Sequence, residues 1–502
     1  MRRFGILLLA LTLLLAGCGN TGDVSSSSSG SQSSSSSSSS QEEQEKNTQP
    51  FTLAAYPAYS FHPALSTSQA NLTLAPLLYE SLFTVDSTFT ATPQLCQSYT
   101  VSEDGLTWTF QLRAGVTFSD GTPLTGESVA QALQTAKDPA SRYAKRLANV
   151  SGVSGSGEQV TITLTTPNGA LPTLLDIPIA LDSSNRPLGT GPYVLSEQGG
   201  KLYLNARADW WQGADSLSLK QIPLATMTQK EQAATAFSSG EVTLIDADIT
   251  GSNELGYSGS YEVWEYNTTG LLYLGFQTAH GVCQDPEVRQ AIAKAIDRSY
   301  VTDSVYARHA TASTLPVHPD SALYDAELAR ELEYDLSALK ALELNRKSLT
   351  LLVNIEDMAK SAAANRIAED LESAGLRVTV ERLAWEDYVK ALESGQFDLY
   401  LAEVYLTADF DLTSLISPQG ELNYGRGWND AAVPLLLENV RKAQGEQRVT
   451  TMATLLRYLN QNAPIAPICF REGTVLTQYD RVENLSPVQG NVFSNLSQWT
   501  VK

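Results

Sequence analysis

The chain has 502 residues, 42% hydrophobic and 18% charged, the composition of an ordinary globular protein. Its 34 Lys and Arg face 55 Asp and Glu, and the formal net charge of −21 excludes the basic footprint that nucleic acid requires. A chain this long outgrows a single core, so two or three domains are predicted.

Arg2 and Arg3 precede an apolar run from Phe4 to Ala16, and Ala16-Gly17 leads directly into Cys18. A basic start, a short apolar region and small residues at the cut describe a secretory signal peptide. The run falls short of the roughly 20 residues a permanent membrane helix needs. Leu15-Ala-Gly-Cys18 resembles the acylation site of bacterial lipoproteins. That resemblance implies cleavage before Cys18, lipidation of its thiol (with palmitate among the acyl groups) and anchoring of the chain to the outer face of the cell membrane. The alternative is an ordinary signal followed by a chance cysteine. Residues 19–50 are then almost pure serine from Ser25 to Ser40, closing on Gln41-Glu-Glu-Gln-Glu-Lys46. With no apolar surface to bury, the segment is predicted to be a disordered tether spanning on the order of 30 Å.

In the body, Leu53 to Tyr56 reads as a strand and Ala70 to Leu82 as a helix with Leu74, Leu77 and Leu78 on one face. Asp104-Gly105 signals a turn, and the alternation of Leu106, Trp108, Phe110 and Leu112 marks a half-buried strand. Ser119-Asp-Gly121 is a second turn, and Thr125 caps a helix carrying Val129, Leu133 and Ala136. Gly152 to Gly157 is expected to separate two strands, the second being Val160 to Leu164. Asp285-Pro-Glu287 opens a helix with Val288, Ile292 and Ile296 inward. Strands at Leu349–Ile355, Leu376–Leu383 and Phe397–Tyr405 alternate with helices at Lys360–Ser373 and Glu386–Glu393, stopped by Gly375 and Gly395. That order predicts parallel strands with right-handed crossovers. Two helices are expected within Ala431–Gln461, then a strand at Ile465–Phe470.

Cys96, Cys283 and Cys469 are widely spaced, with no CxxC or Cys/His cluster, so buried thiols and no metal or cofactor are expected. Gly-x-Ser-x-Gly, HExxH and Walker motifs are absent, and only His62, His280, His309 and His318 are present. Catalysis is not expected.

Several of these segments together carry a resemblance. They are Leu77-Leu-Tyr-Glu-Ser-Leu82, Ser102 to Arg113 with Val116-Thr-Phe-Ser-Asp-Gly-Thr-Pro-Leu124, Gly189-Thr-Gly-Pro-Tyr193, Asp285 to Arg298, and Trp385 with its helix. In this order they resemble the dipeptide-, oligopeptide- and nickel-binding class of extracellular solute-binding proteins, the receptors of ABC importers. The resemblance implies an α/β, two-lobed periplasmic-binding-protein-like fold (class II, peptide-binding type) with a small extra domain inserted in lobe I. Lobe I would take 51–83, 186–262 and 479–502, the insert 84–185, and lobe II 263–478. The insert is shorter than in many relatives.

By position in the family, Thr67, Ser68 and Gln69 from lobe I and Tyr405, Leu406 and Thr407 from lobe II would pair with a ligand backbone. Asp409 would grip an ammonium group, unless it and Asp411 simply cap the next helix. The loop lacks a tryptophan common near Leu406, which puts backbone capture of a standard peptide in doubt. Glu403 stands where some peptide binders carry arginine. Trp385, Tyr405, Tyr424 and Trp428 lie in segments that face the cleft in relatives, although each residue type is more often core. Nickel relatives use a lobe II histidine, and this chain has none after His318. His318 itself reads as a turn residue. The expected partners are a peptide or small solute, ABC permease subunits and the membrane through Cys18, with the protein itself a monomer. The alternative is a ligand-sensing surface receptor on the same fold, for example for a signalling peptide.

Overall fold

The computed structural model describes residues 49–229, 231–250, 256–425 and 427–502. The signal peptide, Cys18 and nearly all of the tether lie outside these residues.

Alternation along Tyr193–Gln198, Lys201–Ala206 and Gln221–Thr226 builds an antiparallel meander, and Leu53–Ala55 joins its edge parallel to Gln221–Thr226. Phe51, Leu53, Leu204, Ile222 and Trp499 close a core on one side of this sheet. Sequence periodicity predicts one helix over 70–82, but two short helices form, Gln69–Thr73 and Ala75–Leu78, and the chain is extended at Tyr79. Pro76 has no N–H to donate and so belongs at a helix start, not in its interior.

A second four-stranded sheet comes from Cys96–Val101, Thr107–Leu112, Gln159–Leu164 and Val150–Ser156. Trp108, Phe110 and Leu112 point into its core, as the alternation predicts. Helix Gly126–Lys137 covers the sheet and starts in a capping box between Thr125 and Ser128. The glycine run expected to separate strands is instead part of the Val150–Ser156 strand. The reason is close approach: a Cβ on Gly155 would lie 1.8 Å from the Gly126 carbonyl oxygen, and one on Gly126 would lie 2.0 Å from that of Gln159. The helix therefore sits directly on backbone.

The third sheet has seven strands. Leu244–Ala247 pairs with Ile465–Gln478, which pairs with Tyr261–Phe276, followed by Leu399–Tyr405, Ser348–Asn354 and Arg377–Leu383, while Ala310–Ala312 adds to Ile465–Gln478. The last three of the main path are mutually parallel, with helices Met358–Ser373 and Trp385–Ser394 as crossovers. Gly375 and Gly395 end those helices at φ 97° and 72°, conformations that favour glycine. Two cores form on this sheet. One gathers Ile292, Leu351, Ile367 and Leu401, the other Tyr273, Tyr388, Phe410 and Leu456.

The two long strands, Tyr261–Phe276 and Ile465–Gln478, run the length of this sheet. Ile465–Gln478 pairs at its C-terminal end with Leu244–Ala247, and Tyr261–Phe276 pairs at its C-terminal end with Leu399–Tyr405, with a register irregularity between Asn267 and Leu271. They bring residues of both halves of the sheet together near Arg471.

Candidate functional site

The parallel strands Ser348–Asn354, Arg377–Leu383 and Leu399–Tyr405 end on one side of the sheet, where open α/β sheets hold ligands. Trp385 begins the helix after the second strand, and its N–H donates to Glu356 Oε1 (2.7 Å) in the turn after the first. Tyr405 closes the third strand. Both aromatic side chains stay largely in solvent, Trp385 at 56% and Tyr405 at 60% exposure, and Met358 and Ile355 are exposed on the same turn. Ser348–Asn354 pairs with the Leu399–Tyr405 strand only at Leu399 and Tyr400. Among the described residues, the strand beyond Tyr400 has a strand partner on one edge alone, 270–274, and its Leu401 carbonyl also accepts from the Tyr388 hydroxyl (2.9 Å).

Arg471, buried on the Ile465–Gln478 strand, ties this region to the end of Leu244–Ala247. Its Nη2 donates to both Asp248 oxygens (2.7 and 2.9 Å) and to the Thr250 hydroxyl (2.9 Å), and its Nη1 to both Glu403 oxygens (3.3 Å each). Asp357 lies 3.8 Å away. Desolvation opposes the guanidinium charge, but Glu403 and Asp248 overcome it and hold the group well above its ordinary pKa. Glu403 is therefore neutralised within the protein and is not a free recognition charge. Lys360, buried beside Glu403 and Asp357, is depressed chiefly by desolvation.

At the Leu244–Ala247 end is a cavity of about 410 Å³. Thr67, Ser68 and Gln69 line it, as does the end of Leu244–Ala247 with Asp246 and Asp248, together with Tyr56, Tyr59 and Tyr257. Ser68 also caps the first helix, accepting from the Asn71 N–H (3.4 Å). Asp246 accepts from the Tyr266 hydroxyl (3.1 Å) and the Thr73 hydroxyl (3.4 Å). Burial pushes its carboxyl up, those bonds oppose it, and Asp248 adds to the rise. The Tyr405 phenol is raised, by desolvation first and then by Glu403, against Arg471, although 60% of the residue's surface is exposed.

The remaining predicted residues lie elsewhere. Asp409 is 5% exposed, accepts from the Thr407 hydroxyl and faces Arg448 at 3.9 Å. Burial raises its carboxyl, with Arg448, Thr407 and Asn168 opposing. It borders a cavity of about 10 Å³, with Arg448 and Met452 among the walls. Asp411 accepts from the Thr413 N–H (2.9 Å) one residue before Leu412, the N-cap of the next helix. The Leu406 N–H donates to the Thr269 carbonyl (3.1 Å), and its carbonyl accepts from the Thr269 hydroxyl (2.7 Å). Its backbone is thus already paired within the protein. Trp428 packs in the core at 8% exposure and donates its indole N–H to the Ile416 carbonyl (2.8 Å). Tyr424 is half-buried against Tyr400, ring centroids 5.9 Å apart. The structure thus brings Thr67, Ser68 and Gln69 to one cavity and Trp385 and Tyr405 to the strand ends, while Asp409, Leu406 and Trp428 are turned inward.

The model of the family described as bacterial extracellular solute-binding proteins, family 5 middle, matches residues 90–423. The chain belongs to this family. As a family 5 solute-binding protein it is a binding protein and not an enzyme. It is 29% identical over 302 residues to the glutathione-binding protein GsiB of Shigella flexneri serotype 5b, covering 55% of this chain and 56% of that protein. GsiB of Escherichia coli K12 is 26% identical over 392 residues, 68% of this chain and 74% of that protein. The chain spans little more than half the length of the first of these relatives. The solved structure of HbpA2 from Haemophilus parasuis superposes with a TM-score of 0.74 at 21% identity, over 90% of this chain and 99% of that one, and shows the same fold. Among the described residues no helix is long and apolar enough to cross a membrane, consistent with the extracytoplasmic setting of the family.

Sequence reasoning about this solute-binding protein missed Asp246, Asp248 and Arg471. The one local signal was Asp246-Ala-Asp248 at the end of a strand, where alternation puts both acids on one face. Arg471 carried no local signal, because its partners come from distant parts of the chain.

Proposed function

We propose that the chain is the substrate-binding component of an ABC importer, tethered by lipid on Cys18. It captures a peptide or another small amine-bearing solute and hands it to a membrane permease, acting as a monomer. Lobe I would hold 51–83, 186–262 and 479–502, with 84–185 inserted, and lobe II 263–478. The observation that carries this reading is the ion-paired Arg471, which joins Asp248 after Leu244–Ala247 to Glu403 on Leu399–Tyr405. A solute above that junction touches both sides, and only such shared contact favours a closed state. The half-paired edge beyond Tyr400 gives an extended ligand a place to add backbone hydrogen bonds. The described glutathione binding of GsiB supports a ligand of this size class.

Native mass spectrometry of the purified full chain tests the reading, with a retained small solute, released on denaturation, as the expected result. A chain that retains none, and whose melting temperature no peptide or amine raises, would refute it. For the anchor, Cys18→Ser is expected to move the protein from the membrane to the soluble fraction. Continued pelleting with lipid rules the anchor out.

A further inference from the structure

We propose that the 410 Å³ cavity is a subsite for an organic ammonium group, with Asp246 as counter-ion and Tyr56, Tyr59 and Tyr257 as aromatic walls. This rests on the solute-capture reading above and names the charge and the place by which the solute is recognised.

The acids near this cavity are balanced in different ways. Asp248 and Glu403 share Arg471, and Asp409 faces Arg448. Asp246 differs: its hydrogen bonds come from neutral groups, the Tyr266 and Thr73 hydroxyls and the Gln69 side chain, and among the described residues no Lys or Arg forms an ion pair with it. A carboxylate withdrawn from water without a cation is costly, and a ligand that supplies the cation recovers that cost. The walls suit the same ligand. Tyr56 is 6% exposed, and Tyr59, 47% exposed, stands edge-on to it at 6.4 Å. Tyrosine faces attract alkylammonium groups through the ring quadrupole, more strongly once water is displaced. The volume fits the low end of small-molecule sites, roughly 300–1,000 Å³.

The cavity also disfavours other ligands. An anionic group would meet Asp246 and Asp248, no Arg or Lys lines the cavity, and Arg471, which holds Asp248, is also engaged by Glu403. A neutral apolar group would leave Asp246 uncompensated. The ammonium is thus placed in the cavity carrying Thr67–Gln69, separate from the one Asp409 borders.

Calorimetric titration of the full chain with two matched pairs tests this: choline against 3,3-dimethylbutan-1-ol, and pentylammonium against pentan-1-ol. Each pair differs mainly in charge. In at least one pair the cation is expected to bind about tenfold or more tightly than its neutral partner. Asp246→Asn should erase that preference, and Asp409→Asn should leave it within about twofold. Tyr59→Leu, at the exposed rim, should weaken the cations about threefold and the neutral probes little. Equal affinity within both pairs, or an undiminished preference in Asp246→Asn, overturns the assignment. If Asp246→Asn retains native solute at wild-type occupancy in mass spectrometry, the ammonium subsite falls while solute capture stands. If the wild-type chain retains nothing and binds no probe, both fall.

Discussion

Asp246 and Asp409 are two withdrawn carboxylates beside separate cavities, and the protein treats them differently. Around Asp409 every neighbour is protein: Thr407 donates to the carboxylate, and Arg448 lies beside it and donates to its backbone carbonyl (2.7 Å). Phe410, next in the chain, is buried against Phe89 and Phe470 at a φ of 52°. Around Asp246 the donors are neutral, two hydroxyls and the Gln69 side chain, and a cavity lies beside it. A buried acid tells little by itself. What separates a structural acid from a recognition acid is whether the fold already supplies its counter-charge.

The largest test of that contrast is Arg448→Met. It leaves Asp409 buried without a cation and removes the bonds to the Val440 and Asp409 carbonyls. Denaturant unfolding is expected to show a loss of about 3–5 kcal/mol, and a loss under about 1 kcal/mol would mean Asp409 is not held by this arginine.

Acid provides the second test. His318 sits between Phe89 and Phe470, ring centroids 5.1 Å from each, and its Nδ1 accepts from the Asp320 N–H (3.1 Å). Burial lowers its pKa to about 4, with Asp320 opposing. The folded value lies below the unfolded 6.5, so the stability held at neutral pH is lost as pH falls from about 6.5 towards 4. The loss should be on the order of 2–3 kcal/mol, and His318→Leu should flatten it. Asp246 has the opposite sign. Its raised folded pKa gives a contribution present below the unfolded carboxyl value and lost as pH rises through the folded one. A melting profile that falls in that acid window and is unchanged in His318→Leu would assign the transition to another group.

The smallest effect should come from Asp246→Asn. It removes an uncompensated charge while keeping the shape, so stability should hold or rise by less than about 1 kcal/mol. A marked loss would show that Asp246, like Asp409, is a structural acid, and the contrast would collapse.

Much of the fold could be read locally. Asp104-Gly105, the alternation through Trp108 and Phe110, and the glycine stops at Gly375 and Gly395 each settle a few neighbouring residues, and the structure follows them. The failures arise where distant chain decides. Gly155 is in a strand because the Gly126 backbone must lie against it. The Tyr261–Phe276 strand alternates over its first half and is continuously buried over its second, so no single period describes it. At the site, Thr67–Gln69, Trp385 and Tyr405 were found through resemblance, which maps position along a chain. The inward turn of Asp409 depends on Arg448, and the charge balance of the crevice on Arg471, 223 positions from Asp248 and 68 from Glu403. Neither pairing leaves a trace in local sequence.

Cys96, Cys283 and Cys469 are unbridged and buried. Desolvation pushes the first to about 11 and the second to about 12, and the third higher still. Thiolate, the form that attacks oxidants and other disulfides, is therefore scarce at all three at neutral pH. A protein working outside the cytoplasm meets oxidising surroundings, and this one carries its sulfurs through them chemically quiet. Among the described residues no disulfide forms, so the fold they build does not depend on one.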